Sequence, residues 1–453
     1  MDLIFHTSKD ISSWNRKFSH SPLYAFENTN KALKSDSSSN VISLNGKYEF
    51  AIYESPEKAP EFYKTDFDGF TESITVPGNW ETQSFSSPIY TNMHYPWSLE
   101  ANKHCAVITG KTGVKAYNAP VIPEHNPTGC YRKWFELPDD INSKKVCIYF
   151  EGVETAYYLW INGKFVGYSE DSKLPSEFDI TPFVVSGKNL ISVMVTRFAT
   201  STYFEDQDYW YLSGIYRNVQ IIVKPRISIE DYKISAIPDL HSFSGEVCVD
   251  VSVTKADGYA DHSVRAEIYR NNTLICENTS AVNAFAGYRN IESPSAHTAR
   301  LNLHLNSVEL WEPETPFLYK IVLSLIDADG KTVDIEAADI GFKKLEIKNG
   351  ILYLNGKRLI VKGVNRHEHC PDGRTVSTEH MIKEIKEMKR IGINSVRTCH
   401  YPDCPEWYRL CDRYGLLLIC ECNLETHGMV GELSHDPSYS SLYLERAVRM
   451  VQT

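Results

Sequence analysis

A carboxylate and an imidazole lie two residues apart in the C-terminal part of the chain, at Glu425 and His427. In an extended segment, residues at this spacing point to the same side, so both side chains could reach one ligand. Such a pair can bind a divalent ion or orient a catalytic acid. Two ligands do not make a complete metal site, so the pattern predicts either part of a metal site or a solvated loop.

Three more imidazoles, His367, His369 and His400, lie in polar segments that follow short apolar runs. A neutral imidazole carries one donor and one acceptor and can hydrogen-bond substrate hydroxyls. A zinc site made from His367 to Cys370 is disfavoured, because the spacing is not the helical i, i+4 spacing of metalloproteases. Arg397 would need a carboxylate partner if buried, and it would hold a catalytic Glu or touch substrate.

An acidic cluster beside aromatic residues occupies the segment from Glu205 to Arg217. Its carboxylates could bind a hard cation, which prefers oxygen ligands. They could equally accept hydrogen bonds from sugar hydroxyls, with the neighbouring rings packing on sugar faces. A third interpretation is a solvated loop. The residues alone do not choose among these three.

The elements that position the histidines and Glu425 read as alternating strands and helices. Apolar runs predict strands at 359–364, 393–397 and 416–420, and helices are expected at 379–391, 405–414 and 441–452. Polar side chains directly after successive parallel strands are typical of the active face of a (β/α)8 barrel. A complete barrel takes about 250 residues. Residues 341–453 are therefore predicted to form an incomplete catalytic barrel of about three β/α units.

The preceding two thirds of the chain is predicted to be all-β. After an N-terminal segment, residues 1–40, short alternating runs predict a jelly-roll sandwich at 41–223. Its clearest signal is Asn162-Gly163 between two β-rich runs, which predicts a hairpin. Residues 224–340 alternate with period two, and their number suits a seven-stranded immunoglobulin-like sandwich. The fold class is thus multidomain and mainly β.

Composition excludes several classes of function. The net charge of −11 argues against nucleic acid or an anionic membrane as a partner. No stretch reaches the roughly 20 apolar residues of a membrane span, and no signal peptide is visible. The eleven cysteines are scattered and lack zinc-site spacing. A reducing, cytoplasmic location is the expectation that follows.

Five long motifs are the most specific features of the sequence. They are Asp206-Gln-Asp-Tyr-Trp-Tyr-Leu-Ser-Gly-Ile-Tyr-Arg, Tyr90-Thr-Asn-Met-His-Tyr-Pro, Gly363-Val-Asn-Arg-His-Glu-His, Arg397-Thr-Cys-His-Tyr-Pro and Glu425-Thr-His-Gly-Met. With these motifs the chain resembles the large bacterial β-galactosidases of glycoside hydrolase family 2. The resemblance covers nearly the whole chain in the family's domain order: sugar-binding jelly roll, immunoglobulin-like domain, start of the barrel.

The resemblance implies a role for four residues in sugar binding. Asp208 is expected to reach the galactose and to bind a Na⁺ ion together with ligands that this chain lacks. Asn92 would line the same pocket from the jelly roll. His367 and His400 would contact galactosyl hydroxyls. The implied substrates are terminal β-D-galactosides such as lactose.

The resemblance also implies a Mg²⁺ site and an absent pair of catalytic residues. Glu425 and His427 would be two Mg²⁺ ligands, and the family's third ligand is its catalytic acid/base. Family members act by a retaining mechanism that needs two carboxylates. The acid/base follows an Asn in the family, and this sequence has no Asn-Glu dipeptide. Both catalytic Glu are therefore expected beyond Thr453, and the chain alone is predicted to be inactive.

Three functions remain open on the sequence. The favoured one is the N-terminal portion of a β-galactosidase, which would work as an oligomer or with a complementing C-terminal chain. A non-catalytic carbohydrate-binding protein is the second, but such a protein should stop near residue 340 rather than inside the barrel, where strand edges stay uncovered. The third is a fragment of another family 2 exo-glycosidase, such as a β-glucuronidase.

Overall fold

A computed structural model describes residues 4–92, 95–97, 119–254, 261–284, 297–429 and 431–453. It contains two antiparallel β-domains followed by a small α/β unit, which confirms the predicted multidomain, mainly β fold. In the described ranges, no helix is long and apolar enough to cross a membrane.

The first domain is a sandwich of a seven-stranded and a four-stranded sheet, extended by two short ribbons. The strand orders are β1-β10-β9-β12-β6-β3-β4 and β11-β7-β15-β2, and the ribbons are β13-β5 and β14-β8. The strands are β1 (Ser13–Trp14), β2 (Val41–Ser43), β3 (Gly46–Tyr53), β4 (Glu72–Val76), β5 (Ile89–Thr91), β6 (Thr128–Leu137), β7 (Lys144–Phe150), β8 (Val153–Glu154), β9 (Ala156–Ile161), β10 (Lys164–Ser169), β11 (Ser176–Asp179), β12 (Gly187–Thr196), β13 (Tyr209–Tyr211), β14 (Gly214–Ile215) and β15 (Val219–Pro225).

The predicted hairpin at Asn162-Gly163 is confirmed. β9 pairs with β10 in antiparallel register around it, and the two turn residues have φ of 51° and 78°. Positive φ at both central positions is the type I′ geometry that matches the twist of a hairpin. Inward-facing side chains of both sheets then form one apolar core around residues such as Tyr48, Phe50 and Tyr131.

The second domain is a sandwich of two four-stranded sheets, β16-β17-β21-β20 and β19-β18-β22-β23. Burial alternates along Gly245–Val253, with Val247, Val249 and Val251 in the core, as period-two patterning requires. The strands are β16 (Ile229–Pro238), β17 (Gly245–Val253), β18 (Ser263–Arg270), β19 (Thr273–Ala281), β20 (Asn283–Ala284), β21 (His297–Leu305), β22 (Tyr319–Ile326) and β23 (Thr332–Ile340).

The N-terminal segment bridges both sandwiches. β1 extends the seven-stranded sheet by pairing with β10. Helix α1 (Thr29–Lys34) begins with Asn28 as its N-cap and packs Ala32 against Ile335 and Ala337 of the second domain. Packing on two domains at once fixes this segment without a core of its own.

A three-stranded antiparallel sheet precedes the α/β unit, which is a three-stranded parallel sheet in the order β27-β28-β29. The strands are β24 (Leu345–Lys348), β25 (Ile351–Leu354), β26 (Lys357–Arg358), β27 (Gly363–Arg366), β28 (Ser395–Thr398) and β29 (Leu417–Ile419). The helices are α2 (Thr378–Arg390), α3 (Pro405–Tyr414) and α4 (Ser440–Gln452). The parallel order and the alternation with helices are those of a TIM barrel's first units.

The first parallel strand begins four residues later than the sequence predicts. The apolar run at 359–364 does not form one strand: Lys357–Arg358 close the antiparallel sheet, and pairing with Ser395 begins only at Gly363. Ile360 and Val361 are consequently 62% and 48% exposed. Apolar periodicity alone did not reveal which neighbour would pair with each half of the run.

Gly415, which follows helix α3, is required where the α/β unit contacts the second domain. Gly415 ends the helix with φ of 77°, and a Cβ there would lie 2.1 Å from the carbonyl oxygen of Pro313 in the second domain. The indole N–H of Trp311 donates to the Asp412 carbonyl at 2.8 Å in the same contact. Only glycine allows this conformation and this close approach.

His6 is expected to make the first domain sensitive to acid. Its side chain is 2% exposed, its Nδ1 lies 2.9 Å from the Tyr158 hydroxyl, and burial lowers its pKa from 6.5 to about 4. The unfolded state therefore binds more protons between these two pH values. The stability contribution is complete above pH 6.5 and is lost as the pH falls toward 4.

We expect His6 alone to make the free energy of unfolding about 2 kcal/mol lower at pH 5 than at pH 7. Urea unfolding of the wild type and of His6→Gln at both pH values measures it, since contributions of other groups cancel in the difference. The variant should lose less stability on acidification. A variant of the exposed His241, His241→Gln, is the matched control; equal acid losses in all three proteins would contradict the assignment.

Candidate active site

The ends of the three parallel strands bring the predicted histidines together. β27 is followed by His367, β28 by Cys399 and His400, and β29 by Glu421. In the parallel register, Arg366 pairs with Thr398 and Arg397 with Ile419, so the three carboxyl ends lie side by side. Side chains directly after these ends therefore face one opening, as in barrel enzymes.

His367 lies between aromatic and imidazole rings. Its ring stacks on Tyr209 of the jelly roll with centroids 4.4 Å apart and an interplanar angle of 10°. The His400 ring lies edge-on at 5.6 Å, and Nδ1 of His367 is 3.3 Å from the Tyr401 hydroxyl. Burial, with His400 and His369 nearby, lowers the pKa of His367 to about 4. The imidazole is therefore neutral near pH 7 and can both donate and accept.

Arg397 is only partly buried, and its guanidinium pairs with the carboxylate of Glu421. The guanidinium Nε donates to Glu421, and a second nitrogen lies 3.1 Å from Nδ1 of His400. His400 Nδ1 is also 3.1 Å from the other Glu421 oxygen. Glu421 thus orients both groups, and the pKa of Arg397 is raised by this hydrogen bond and charge.

The ribbon β5-β13 carries the jelly roll's contribution. Thr91 pairs with Tyr209, so Asn92 and Asp208 lie next to each other at the end of the ribbon. Asp208 is exposed, and the Tyr90 hydroxyl donates to its Oδ1 at 2.5 Å. Tyr209, the next residue in the chain, stacks on His367, so the backbone of Asp208 lies beside a residue that contacts this histidine. The structure therefore brings together Asn92, Asp208, His367 and the groups around His400.

The acidic cluster that follows β12 separates into a structural and an open part. Glu205 is nearly buried and bonds Ser172 and Arg446, whereas Asp208 faces solvent. Asp206 is fully buried and accepts from the Tyr211 hydroxyl and the Gly428 N–H. Burial raises the pKa of Asp206 to about 6. The solvated-loop interpretation therefore fails for Glu205 and Asp206.

Glu425 and His427 lie in a loop that is tied to the jelly roll by its backbone. The Glu425 N–H donates to the Phe204 carbonyl at 2.9 Å, and the His427 N–H donates to the Asp206 carbonyl at 3.2 Å. The prediction from the sequence assumed an extended segment here. The segment is instead turned, because Thr426 has φ of 54° and a 3₁₀ turn begins at His427. A turn, and not an extended strand, therefore sets the directions of the two side chains.

Each of these two side chains has one buried polar atom without a hydrogen-bond partner among the described residues. The atoms are Oε2 of Glu425 and Nδ1 of His427. Buried polar atoms are normally paired, and an unpaired one needs an explanation such as a bound ion or water. A carboxylate oxygen and an imidazole nitrogen in this state fit the ligand set of a divalent cation.

Buried ion pairs hold the jelly roll against the α/β unit beneath this opening. Arg217 donates to Glu368 at 3.0 Å, and Glu368 also accepts the Cys404 N–H at 3.0 Å. Arg374 donates to Glu154 at 2.8 Å. All of these charged side chains are at most 10% exposed. The histidines thus lie on a surface that both domains form.

Several residues of the site were not identified from the sequence. They are Tyr401 beside His367, Glu421 and Cys399. Asp206 and Tyr209 belong to the acidic segment that the sequence singled out, but neither was assigned a role of its own. The strand-end rule that selected His400 selects Glu421 equally well, since it follows the third apolar run. Asp206 and Tyr209 carried no such signal, because their positions depend on contacts between distant domains.

The chain matches three domain models of the glycosyl hydrolases of family 2. Residues 41–225 match the sugar binding domain, 345–453 match the TIM barrel domain, and 227–343 match a third model that is described as glycosyl hydrolases family 2. Together these matches account for nearly the whole chain.

The curated relatives that the chain matches include bacterial β-galactosidases. A β-galactosidase of Pseudoalteromonas haloplanktis is 39% identical over 452 residues, covering 97% of this chain and 41% of that protein. A β-galactosidase of Enterobacter cloacae is 38% identical over 449 residues, covering 98% of this chain and 41% of that protein. The chain thus spans about two fifths of the length of these relatives.

Solved structures share the fold at lower identity. A Bifidobacterium dentium β-glucuronidase complexed with coumarin-3-O-glucuronide has a TM-score of 0.71 and 19% identity, covering 91% of this chain and 65% of that one. A β-glycosidase from Bacteroides vulgatus has a TM-score of 0.68 and 21% identity, covering 91% and 48%. At these identities the likeness concerns the fold.

Proposed function

Because this chain belongs to glycosyl hydrolase family 2, we propose that it supplies the galactose-binding part of a β-galactosidase active site. The reaction is the retaining hydrolysis of terminal β-D-galactosides such as lactose. The observation that carries the proposal is the convergence of Asp208, His367 and His400 on one opening between two domains. The 37–39% identity to curated β-galactosidases favours galactosides over glucuronides as substrates.

The residues at the opening suit a neutral polyhydroxylated ligand. Among the described residues, the Tyr90 hydroxyl donates to Oδ1 of Asp208, and Oδ2 remains able to accept hydrogen bonds from sugar hydroxyls. Neutral His367 can donate or accept, and the Glu421 carboxylate orients His400. Such fixed partners discriminate sugars because a missing or inverted hydroxyl would leave a partly buried polar group unpaired.

We also propose the two cations that the family resemblance implies. Glu425 and His427 would hold Mg²⁺, and their unpaired buried atoms support this assignment. Asp208 offers one exposed carboxylate of the type that Na⁺ takes. When bound, a divalent ion supplies positive charge that stabilises nearby carboxylates and orients them. The chain's own part is to hold Glu425 and His427 in place through the backbone of residues 204–206.

Binding of isopropyl β-D-thiogalactoside, which is not hydrolysed, tests the galactose-binding proposal. Titration calorimetry with the 453-residue chain should show binding, and Asp208→Ala should weaken it about 10-fold or more, because hydrogen bonds to a charged group contribute about 1.5–3 kcal/mol. Asp329→Ala, in an exposed turn of the second domain, is the matched control. Binding of a glucuronide but of no galactoside would refute the substrate assignment.

Metal binding is expected to depend on Glu425 in a separate experiment. Mn²⁺, a paramagnetic substitute for Mg²⁺, can be followed by its electron spin resonance as free ion disappears on addition of protein. Glu425→Gln should abolish the weak binding that two protein ligands provide, because the carboxylate is the only charged ligand of the pair. Glu379→Gln, on the exposed first turn of α2, is the control. Equal Mn²⁺ uptake by both variants would exclude Glu425 as a ligand.

A further inference from the structure

Three side chains with soft or borderline metal-ligand atoms meet at the ends of two parallel strands. His367 follows β27, and Cys399 and His400 follow β28. One ligand atom from each residue lies within 4.8 Å of the other two. None of these three is a ligand of the Mg²⁺ proposed above, and Cys399 has no part in the proposed sugar contacts of His367 and His400.

The outer contacts of both imidazoles are those of metal-binding histidines. Nδ1 of His400 lies 3.1 Å from the Glu421 carboxylate and 3.1 Å from a nitrogen of Arg397, and Nδ1 of His367 lies 3.3 Å from the Tyr401 hydroxyl. Metal-ligating histidines usually engage one ring nitrogen in such a contact, which fixes the ring and leaves the other nitrogen for the ion. In both residues Nε2 is the remaining nitrogen.

The third ligand is a free thiol held in place by its backbone. Cys399 is 3% exposed, forms no disulfide, and its N–H donates to the Arg366 carbonyl at 3.0 Å. A thiolate with two imidazoles is a ligand set that selects Zn²⁺ or a similar ion over Mg²⁺, which prefers oxygen. This set differs from the His367–Cys370 segment, whose spacing excluded a helical zinc motif.

From this geometry we propose that His367, Cys399 and His400 form a three-ligand site for Zn²⁺ with its fourth position open. Zn–N distances of about 2.0 Å and a Zn–S distance of about 2.3 Å place ligand atoms about 3.4 Å apart in a tetrahedron. The ligand atoms, which lie within 4.8 Å of one another, must therefore approach to about 3.4 Å. His367 and His400 are only partly buried, so rotation of their side chains can close this distance.

The site has a consequence for sugar binding that rests on the proposed function. The two imidazoles proposed to contact galactosyl hydroxyls would be occupied by the metal. Zn²⁺ and a galactoside are therefore expected to compete, so Zn²⁺ acts as an inhibitor of sugar binding at this opening. The arginine beside His400 opposes a second positive charge, whereas Glu421 neutralises it.

Co²⁺ is the spectroscopic probe for the test, because it replaces Zn²⁺ and reports its ligands. Titration of the purified chain with CoCl₂ should give tetrahedral visible bands and a near-ultraviolet thiolate charge-transfer band that saturate at one ion per chain, and Zn²⁺ should remove both. Cys399→Ser should lose the charge-transfer band and bind Zn²⁺ at least about 100-fold more weakly, since loss of even an outer partner costs 10–100-fold. His367→Asn should lose the tetrahedral visible bands.

The controls separate loss of a ligand from loss of the fold. Cys422→Ser removes a partly buried thiol that is no ligand of the proposed site and should leave all bands unchanged; circular dichroism checks each variant. Glu421→Gln should weaken Zn²⁺ binding about 10-fold and retain the charge-transfer band. Absence of the bands in the wild type, or a charge-transfer band that persists in Cys399→Ser, would overturn the proposal.

A competition experiment between Co²⁺ and a galactoside distinguishes failure of the metal-site proposal from failure of the proposed function. Isopropyl β-D-thiogalactoside should weaken Co²⁺ binding if the same histidines bind both. Co²⁺ bands that depend on Cys399 but do not respond to the galactoside would confirm the metal site and refute the sugar contacts of His367 and His400.

Discussion

The 453-residue polypeptide should release no nitrophenol from p-nitrophenyl β-D-galactoside while still binding a galactoside. A retaining glycosidase needs one carboxylate as nucleophile and a second as acid/base. The family motif for the acid/base contains Asn-Glu, and this pair does not occur in the sequence. Loss of proton transfer alone costs about 10²–10⁴ in rate, and loss of the nucleophile removes the covalent step as well.

The assay needs a control for contaminating host enzyme. Turnover by the wild-type chain should be compared with Asp208→Ala, prepared in the same way from a host that lacks β-galactosidase. Activity that copurifies with the chain and falls in Asp208→Ala would contradict the prediction, and would mean that two other carboxylates of this chain perform the reaction. Equal residual activity in both preparations would identify a contaminant.

Removing the carboxylate of Glu368 is expected to destabilise the protein by about 3–5 kcal/mol, because it leaves a buried guanidinium without a counter-charge. Both Arg217 and Glu368 are 3% exposed, and Glu368 also accepts the N–H of Cys404. Arg217 further donates to the carbonyls of Lys173 and Pro402, so it cannot turn toward water without breaking contacts on both domains.

Thermal unfolding and limited proteolysis of Glu368→Ala measure the effect. We expect a lower melting temperature and earlier cleavage within residues 341–453, because the pair joins this unit to the jelly roll. Glu387→Ala removes one partner of an exposed pair with Arg390 on α2 and should change stability by less than about 1 kcal/mol. If Glu368→Ala behaves like Glu387→Ala, the buried pair does not hold the domains together.

Local signals in the sequence were sufficient for much of the fold. Asn162-Gly163 specifies its hairpin through positive φ at both positions, and the helix predicted at 405–414 agrees with Pro405–Tyr414, which begins with proline and ends before Gly415. Both features depend on residues within a few positions of each other. The start predicted for the strand at 359–364 was wrong, because pairing with Ser395, which is distant in sequence, decides where the strand begins.

The same difference between local signals and long-range contacts explains which residues of the site the sequence predicted. His367 and His400 were predicted because both follow strands of one sheet, and the strand-end rule needs no knowledge of other domains. Asp206 and Tyr209 act in this site only because a jelly-roll loop is placed against the third strand-end loop. The resemblance to a family supplied the role of Asp208, which spacing alone left undecided.

The hydrogen bonds from Glu425 and His427 to residues 204–206 have a consequence for synthesis of the protein on the ribosome. The acceptor carbonyls at Phe204 and Asp206 belong to a domain that emerges and can fold well before the donor loop leaves the exit tunnel. The later loop can therefore take its shape on a surface that already exists. If the jelly roll of a nascent chain folds slowly, the loop of Glu425 and His427 emerges before its hydrogen-bond acceptors are in place. Chaperones would then bind the chain at that stage.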